Sequence, residues 1–157
     1  MLITDYLTKE CIQIFLEGND KKDLIQQLAE FHFIQYPLIN REEAMSGLFE
    51  RENLLTTCIG HGIAIPHARL ESCHKISVSL GLLKTPTDFD SLDHEAVKIM
   101  FLIFFPKEKV NLQLRFLARV SRLLSNNNLI DNICHSQTPD EIITIFKEYE
   151  AKHFHSD

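Results

Sequence analysis

Apolar positions recur at helical spacing in the first part of the chain. After Asp20, leucine and isoleucine residues return every three or four positions, which predicts a helix that is capped by Asp20 and ends before Pro37. Asn40, followed three residues later by Glu43, resembles a capping pair at the start of a second helix. We expect this second helix to run to about Arg51.

Three other segments have the patterns of β-strands. The apolar, β-prone segment from Cys11 to Leu16 predicts an edge strand. From Ile76 to Leu82, apolar residues alternate with serine and glycine, which is the period of a strand. The nearly continuous apolar run from Val97 to Phe105 predicts a central strand that is buried on both faces. Between these last two, the segment from Thr85 to His94 contains one proline and three aspartates, which indicates a turn or an exposed extension.

The second half of the chain returns to helical patterns. A helix is predicted from Val110 to Ser125, a short one from Leu129 to Cys134, and a last one that starts at Thr138 with a proline in its first turn. The final residues, His153 to Asp157, are expected to fray. The predicted apolar stripe of the first of these helices consists of Leu114, Leu117, Val120 and Leu124.

Together, these elements predict one α/β domain over residues 1–157, with an ordered core of about 2–150. The chain combines several strands with helices before and after them, and a helix covers a sheet by burying its apolar stripe against it. We therefore expect a central mixed β-sheet that is flanked by helices on both faces.

Length and charge narrow the functional classes. The 157 residues are enough for one domain with a hydrophobic core, and the formal net charge is −6. Since the chain has no run of basic residues, it does not indicate binding to nucleic acid or to an anionic membrane. An acidic surface is compatible with a basic protein partner.

Cysteine spacing and hydropathy suggest a location. The four cysteines show no paired spacing, and the N-terminus lacks the pattern of a secretory signal. The longest apolar run, from Ile99 to Phe105, is too short to cross a bilayer. We expect a cytoplasmic protein with reduced thiols and no direct membrane insertion.

The segment from Arg51 to Arg69 concentrates residues with special backbone properties. Two of the chain's five glycines flank His61, and Pro66 directly precedes His67. Glycine permits positive φ and close approach to bare backbone, whereas proline fixes its own φ. This arrangement of flexible and rigid residues is typical of a reactive histidine at the end of a short strand.

This segment resembles the active-site signature of the type-2 enzyme IIA proteins of the bacterial phosphoenolpyruvate-dependent phosphotransferase system. The signature begins with an acidic or amide residue, here Glu52, and continues after six free positions with an apolar residue and a glycine, here Ile59 and Gly60. It ends in apolar–Ala–apolar–Pro–His–small, here residues 63–68. In this fructose- and mannitol-like family the histidine accepts a phosphoryl group from a phosphorylated carrier. The resemblance implies that His67 becomes phosphorylated on Nε2 (tele-phosphohistidine), with Nδ1 held by a backbone acceptor.

The resemblance also implies a function and partners. It is greatest to the nitrogen-related branch, whose members are typically free-standing cytosolic domains of about this size. The implied function is a regulatory IIA protein that is phosphorylated by an HPr-like histidine phosphocarrier and acts on regulatory protein targets. The alternative is a sugar-specific relay protein that passes its phosphoryl group to a IIB domain. Neither implies a cofactor, a metal or a free-standing enzyme.

Other site positions follow from the resemblance or from local chemistry. The family carries an arginine near the phosphohistidine, here Arg51, whose guanidinium can hold phosphoryl oxygens but could also simply complement a helix dipole. Many members have a second histidine where Gln113 aligns; glutamine can donate a hydrogen bond or orient the imidazole, but it cannot titrate. The backbone amides of Gly60, His61 and Gly62 could form an anion-binding concavity for the phosphoryl oxygens, although His61 also fits an ordinary solvated loop.

Two other chemistries are less well supported. A hydrolase would need a nucleophile motif, and none precedes the aspartates of the 85–94 segment. A zinc site would need a recognised ligand spacing, which the eligible side chains lack. Those side chains are His61, His67, Cys73 and His74.

Overall fold

A six-stranded mixed sheet forms the middle of the protein in a computed structural model that describes residues 1–154. The strands are β1 (Ile12–Leu16), β2 (Cys58–Gly60), β3 (Ile63–Ala64), β4 (His67–Leu70), β5 (Ser77–Thr87) and β6 (Val97–Pro106). β5 lies antiparallel to β6, and β1 lies parallel to β5 at the edge of the sheet, where an edge strand was predicted. On the other side of β6, β3 and β4 pair with it one after the other, both parallel, and β2 lies antiparallel to β3.

Helices cover both faces of this sheet, which confirms the predicted fold class. They are α1 (Lys21–Gln35), α2 (Arg41–Leu54), α3 (Val110–Leu123), α4 (Asn127–Cys134) and α5 (Pro139–His153). Successive side chains of β6 point to opposite faces: Phe101 and Ile103 pack in the core beneath α3, α4 and α5, whereas Leu102 and Phe104 pack beneath α1 and α2. The apolar run of this strand is therefore buried on both faces, as predicted.

Both predicted cap residues cap their helices, but Glu43 does not complete the capping pair expected with Asn40. The side chains of Asp20 and Asn40 cap α1 and α2. The Glu43 carboxylate does not return to Asn40 as a capping box would; it accepts hydrogen bonds from the amides of Glu71 and Ser72 at 2.8 and 3.1 Å. The start of α2 is thereby attached to the turn that follows β4.

Several element boundaries differ from the predictions. α2 extends beyond Arg51 to Leu54, and β5 continues to Thr87 because that residue still pairs with β6. α5 includes His153, which was expected to fray, and Phe154 directly after it is only 8% exposed. The Phe154 ring lies against the guanidinium of Arg119 of α3, which holds this end of the chain on the core. Residues 155–157, also expected to fray, lie outside the described part of the chain.

The apolar stripe of α3 was predicted incorrectly in its first turn. Leu114 is 62% exposed, whereas Phe116, Val120 and Leu123 are fully buried. These buried positions follow one another at four and three residues and so share one face of the helix. Leu114 is two residues from Phe116 and therefore points away from that face.

Candidate functional site

The Ile65–Pro66 segment interrupts the strand that was predicted to lead into the histidine. Proline lacks an amide hydrogen, so Pro66 cannot donate to β6, although its carbonyl oxygen still accepts from the Ile103 amide at 3.0 Å. The Ile65 amide turns away from β6 and donates to the carbonyl oxygen of Thr57 at 3.0 Å. His67 therefore begins β4 rather than ending a strand, which corrects the prediction.

The His67 ring is fixed by its own backbone. Nδ1 lies 2.7 Å from the carbonyl oxygen of Ile65, which can only accept a hydrogen bond, so Nδ1 carries the proton. Nε2 then holds the lone pair, and no residue among 1–154 forms a hydrogen bond with it. The side chain is 8% exposed and packs edge-on against Phe105. The ring is thus an immobilised imidazole with one free basic nitrogen.

A cavity of about 320 Å³ opens beside this ring at the edge of the sheet. It lies where α2, β4 and α3 converge, and three residues predicted for the site, His67, Arg51 and Gln113, line it together. The complete lining is Gly47, Glu50, Arg51, Leu54, His67, Ala68, Arg69 and Gln113.

Small residues bring Arg51 close to the histidine. A Cβ at Gly47 would lie 3.1 Å from the Cβ of Ala68, so the absence of a side chain lets α2 approach β4 closely. Arg51 follows Gly47 by one helical turn and shares its face. One nitrogen of its guanidinium donates to the carbonyl oxygen of Leu55 at 2.7 Å, just beyond the end of α2. The guanidinium has further N–H groups that this bond does not use.

Arg69 is a second cation in the cavity that the sequence interpretation did not assign to the site. It lies two residues after His67 on the same strand, and alternate residues of a strand face the same side. Its guanidinium donates to the carbonyl oxygen of Lys107 at 3.3 Å, in the loop before α3. Strand alternation counted from the histidine was the signal that could have identified it.

Burial and charge keep the His67 imidazole neutral. Burial lowers the pKa of His67 below its usual 6.5, and the positive charge of Arg51 lowers it further. The hydrogen bond to Ile65 and the negative charge of Glu52 act in the opposite direction without reversing the shift. A neutral imidazole is the nucleophilic form, so Nε2 is available for chemistry at neutral pH.

The glycine turn is not part of this cavity. Gly60, His61 and Gly62 all have positive φ, and the His61 amide donates to the Asp93 carboxylate at 3.0 Å. Hydrogen bonds from Ser91 and from His61 lower the pKa of Asp93 to about 2. The turn does bind a carboxylate, but the one that it binds belongs to this chain.

The sheet register separates this turn from the histidine. The turn precedes Ile63, which pairs with Ile99, whereas His67 pairs with Ile103. The two sites are therefore four residues apart along β6, or roughly 13 Å at the rise of a strand. The structure brings the glycine turn next to Asp93 instead of next to the ring.

The described residues contain no group of side chains suited to binding a metal ion. Among residues 1–154, no three His, Cys, Asp or Glu side chains are grouped so that they could hold a metal ion. The eligible residues named from the sequence have other contacts: the Cys73 thiol donates to the carbonyl oxygen of Lys75, and His67 is held as described. No helix in the same part of the chain is long and apolar enough to cross a membrane.

Comparison with known proteins identifies the family. The family model "Phosphoenolpyruvate-dependent sugar phosphotransferase system, EIIA 2" matches residues 5–149. This chain belongs to that EIIA type-2 family. The resemblance noted in the segment from Glu52 to Ala68 therefore extends over nearly the whole domain.

Individual relatives of this EIIA type-2 chain support the family assignment. A nitrogen regulatory protein of Bradyrhizobium diazoefficiens is 33% identical over 145 residues, covering 92% of this chain and 94% of the relative. The crystal structure of nitrogen regulatory protein IIA-Ntr from Neisseria meningitidis has a TM-score of 0.84 at 22% identity, covering 92% of this chain and 98% of that one.

A complex of enzyme IIA mannitol and phosphorylated enzyme IIB mannitol from Escherichia coli contains a chain with a TM-score of 0.77 at 17% identity, covering 90% of this chain and 97% of that one. The two structural matches establish the shared fold.

Proposed function

We propose that this EIIA type-2 protein accepts a phosphoryl group on Nε2 of His67 from an HPr-like phosphocarrier and acts as a nitrogen-related regulatory protein. The observation that carries the proposal is the state of the ring: Nδ1 is bound to a carbonyl oxygen, and Nε2 is free beside a cavity that two arginines line. A phosphoryl acceptor needs this combination of a free lone pair and nearby positive charge.

The transfer step follows from the geometry. The Nε2 lone pair forms the new nitrogen–phosphorus bond while the carrier's own phosphorus–nitrogen bond breaks, and the proton stays on Nδ1. As Nε2 gives up electron density, Nδ1–H becomes a stronger donor to the Ile65 carbonyl oxygen, which stabilises the charged ring. The guanidinium of Arg51 is the group proposed to hold the phosphoryl oxygens, and Gln113 donates from the side of α3.

The surface around the cavity fits a protein donor. Leu54 lines the cavity and is 79% exposed, and Leu55 beside it is 61% exposed. Leu114, next to Gln113 in α3, is 62% exposed. Exposed apolar side chains around a polar centre are typical of a surface that another protein covers. We infer that the carrier docks on this rim, which leaves the phosphoryl group facing His67.

A relay to a IIB domain is the second candidate. The chain shares its fold with an enzyme IIA mannitol that is part of a complex with phosphorylated enzyme IIB mannitol. The same cavity would then give the phosphoryl group on as well as receive it. The nitrogen-related function is preferred because the 33% identical relative is a nitrogen regulatory protein that matches this chain over 94% of its own length.

A labelling experiment tests both candidates. The protein is mixed with phosphoenolpyruvate, enzyme I and, in parallel, a nitrogen-related or a sugar-related carrier, and the modified residue is located by intact mass and peptide mapping. The proposal expects an acid-labile phosphoryl group on His67 and faster labelling by the nitrogen-related carrier. Faster labelling by the sugar-related carrier, followed by transfer to a IIB domain, would favour the relay instead. The absence of label with either carrier would contradict both.

A further inference from the structure

Glu52 is a buried carboxylate in the last turn of α2, next to Arg51. It is 8% exposed and forms an ion pair with Lys21 at 2.8 Å. Its two oxygens accept hydrogen bonds from the amide and the hydroxyl of Thr57 at 3.2 and 2.6 Å. A buried charge is costly unless it is paired and hydrogen-bonded, so this carboxylate is held firmly in one position.

A continuous path of hydrogen bonds leads from this carboxylate to the imidazole. Thr57, held by Glu52, accepts from the Ile65 amide through its carbonyl oxygen at 3.0 Å. The Ile65 carbonyl oxygen in turn accepts from Nδ1 of His67 at 2.7 Å. The Ile65 carbonyl lies between two anchored points: Thr57 holds the Ile65 amide, and the Pro66 carbonyl oxygen accepts from the Ile103 amide of β6 at 3.0 Å. The Thr57 contact therefore fixes this segment on the side that faces away from β6.

We propose that Glu52 is a positioning residue for His67: by holding Thr57, it fixes the Ile65 carbonyl that keeps the proton on Nδ1 and the lone pair on Nε2. The inference rests on the proposed function for its kinetic consequence, but its structural content concerns the unphosphorylated ring alone. A neutral histidine without such a partner distributes its proton between both nitrogens, and only the tautomer with a free Nε2 can react at the cavity.

The charge of Glu52 supports the same conclusion. Its negative charge raises the pKa of His67 and so opposes the effect of Arg51, which preserves the basicity of the nucleophile. The other charged side chains beside the ring are Glu50 and Arg69, which line the cavity. Glu52 differs from them because it is buried and touches the loop that carries Thr57.

The chain provides a matched control in Glu150 of α5. This carboxylate is 1% exposed and accepts from the amides of Ile3 and Thr4 and from the Thr4 hydroxyl at 2.7, 3.1 and 2.9 Å. Like Glu52, it is buried and secures another segment of chain: Glu150 accepts from two amides and a hydroxyl, and Glu52 from one amide and one hydroxyl. Unlike Glu52, it lies under the other face of the sheet, and its hydrogen bonds go to Ile3 and Thr4, which do not line the cavity.

The decisive experiment compares Glu52→Gln and Thr57→Val with Glu150→Gln and Thr57→Ser. Long-range proton–nitrogen NMR reads the His67 tautomer in the unphosphorylated protein, and the labelling assay gives kcat and KM for the carrier. We expect the first two variants to show a mixture of tautomers and a kcat lowered roughly tenfold with KM unchanged, which is the low end of the loss seen when the partner that orients a metal-binding histidine is removed. The other two variants should retain one tautomer and the wild-type kcat, even where Glu150→Gln lowers the melting temperature.

Each outcome decides the inference. If Glu52→Gln and Thr57→Val keep a single Nδ1–H tautomer and the wild-type kcat, Glu52 has only a structural role and the proposal is wrong. If Glu52→Gln fails to fold, Thr57→Val still tests the path because it removes only the hydroxyl contact. If the wild-type protein accepts no phosphoryl group, the proposed function fails, but the tautomer measurement still decides the positioning of the ring.

Discussion

Among residues 1–154, His32 and His67 are the buried histidines, and they differ in whether one ring nitrogen is left without a hydrogen bond. His32 in α1 is fully buried, with Nδ1 2.6 Å from the Ser79 hydroxyl and Nε2 2.9 Å from the Ser77 hydroxyl. His67 has its Nδ1 on a carbonyl oxygen and its Nε2 free beside a cavity. Burial lowers the pKa of both rings, that of His32 to about 3. A buried, neutral imidazole is therefore not a functional site by itself, since an accessible lone pair is also required.

The partners explain the difference in chemistry. A serine hydroxyl can donate or accept, so His32 is satisfied in either tautomer and has no nitrogen left to react. A carbonyl oxygen can only accept, so His67 has one tautomer. Stacking of His32 on Tyr36 and edge contact with Phe104 show that its ring is used for packing.

Loss of the reactive nitrogen should have the largest effect. We expect His67→Ala to abolish phosphoryl acceptance and to leave the circular dichroism spectrum unchanged, because the ring borders a cavity at the edge of the sheet. Peptide mapping after labelling measures this directly. His61→Ala is the matched control, since His61 is exposed and lies in the glycine turn. Full labelling of His67→Ala would remove His67 from the proposal.

Removal of the nearby cation should have the next largest effect. Arg51→Ala is expected to slow phosphoryl transfer roughly 10- to 100-fold, near the low end of what the loss of one donor to developing charge costs. Arg51→Lys keeps the charge without the planar donor set and should recover part of the rate. Stopped-flow or quench-flow labelling gives the rates. Equal rates for wild type and Arg51→Ala would mean that the guanidinium only binds the Leu55 carbonyl oxygen.

We expect His32, the histidine used for packing, to make the free energy of unfolding depend on pH. The unfolded chain protonates this ring below about pH 6.5, whereas the pKa of folded His32 is about 3. Between these values the unfolded state binds more protons, so the free energy of unfolding falls with decreasing pH by at most about 1.4 kcal/mol per pH unit from this group.

Urea titrations near pH 7 and pH 5 measure this effect. His32→Gln should be less stable at pH 7 and should lose less stability between the two pH values than the wild type does. Equal losses would show that His32 does not remain neutral in the folded state. Groups that titrate in both proteins contribute equally to the two losses, so the difference between the losses reports on His32 alone.

The smallest effect is expected at Gln113. Since glutamine offers a neutral hydrogen bond, Gln113→Ala should slow transfer only a few-fold, the usual scale for a single neutral contact. Gln113→Leu, with a similar size but no donor, should behave in the same way. Measuring Arg51→Ala in the same assay shows whether the residue on α2 or the one on α3 contributes more to the rate of transfer. A loss at Gln113 as large as that at Arg51 would place a main phosphoryl contact on α3.

Much of the fold could be predicted from local patterns, and the exceptions share a cause. The caps at Asp20 and Asn40 and the central strand, expected over Val97 to Phe105, were predicted because each depends on a few neighbouring residues. Leu114 was assigned to the core because leucine at helical spacing looks buried until the position of the sheet is known. The extension of β5 to Thr87 likewise depends on pairing with Val97 of β6. Pro86 and the aspartates that follow favour a turn, so the local sequence does not indicate that the strand continues.

In the candidate site, too, some residues could be predicted from the sequence and others could be identified only in the folded structure. The sequence predicted that His67 has the central role and that Arg51 and Gln113 accompany it, and the structure places all three in one cavity. It did not assign Arg69 to the site, and it placed the glycine turn beside the ring. That turn instead holds a carboxylate from a distant loop, Asp93, which is a contact that only the folded chain creates.

The amino-acid sequence by itself determined the class of fold, the family signature and the identity of the proposed acceptor, because these depend on residue types and spacings along the chain. The resemblance implied that Nε2 reacts, but only the tertiary structure shows the contact that leaves this nitrogen free. The contact depends on where the Ile65 carbonyl points, and the segment that carries it is held by Thr57 on one side and by Ile103 of β6 on the other, with Glu52 proposed to hold Thr57. Hydrogen bonds between distant residues are geometric facts that a linear pattern does not contain.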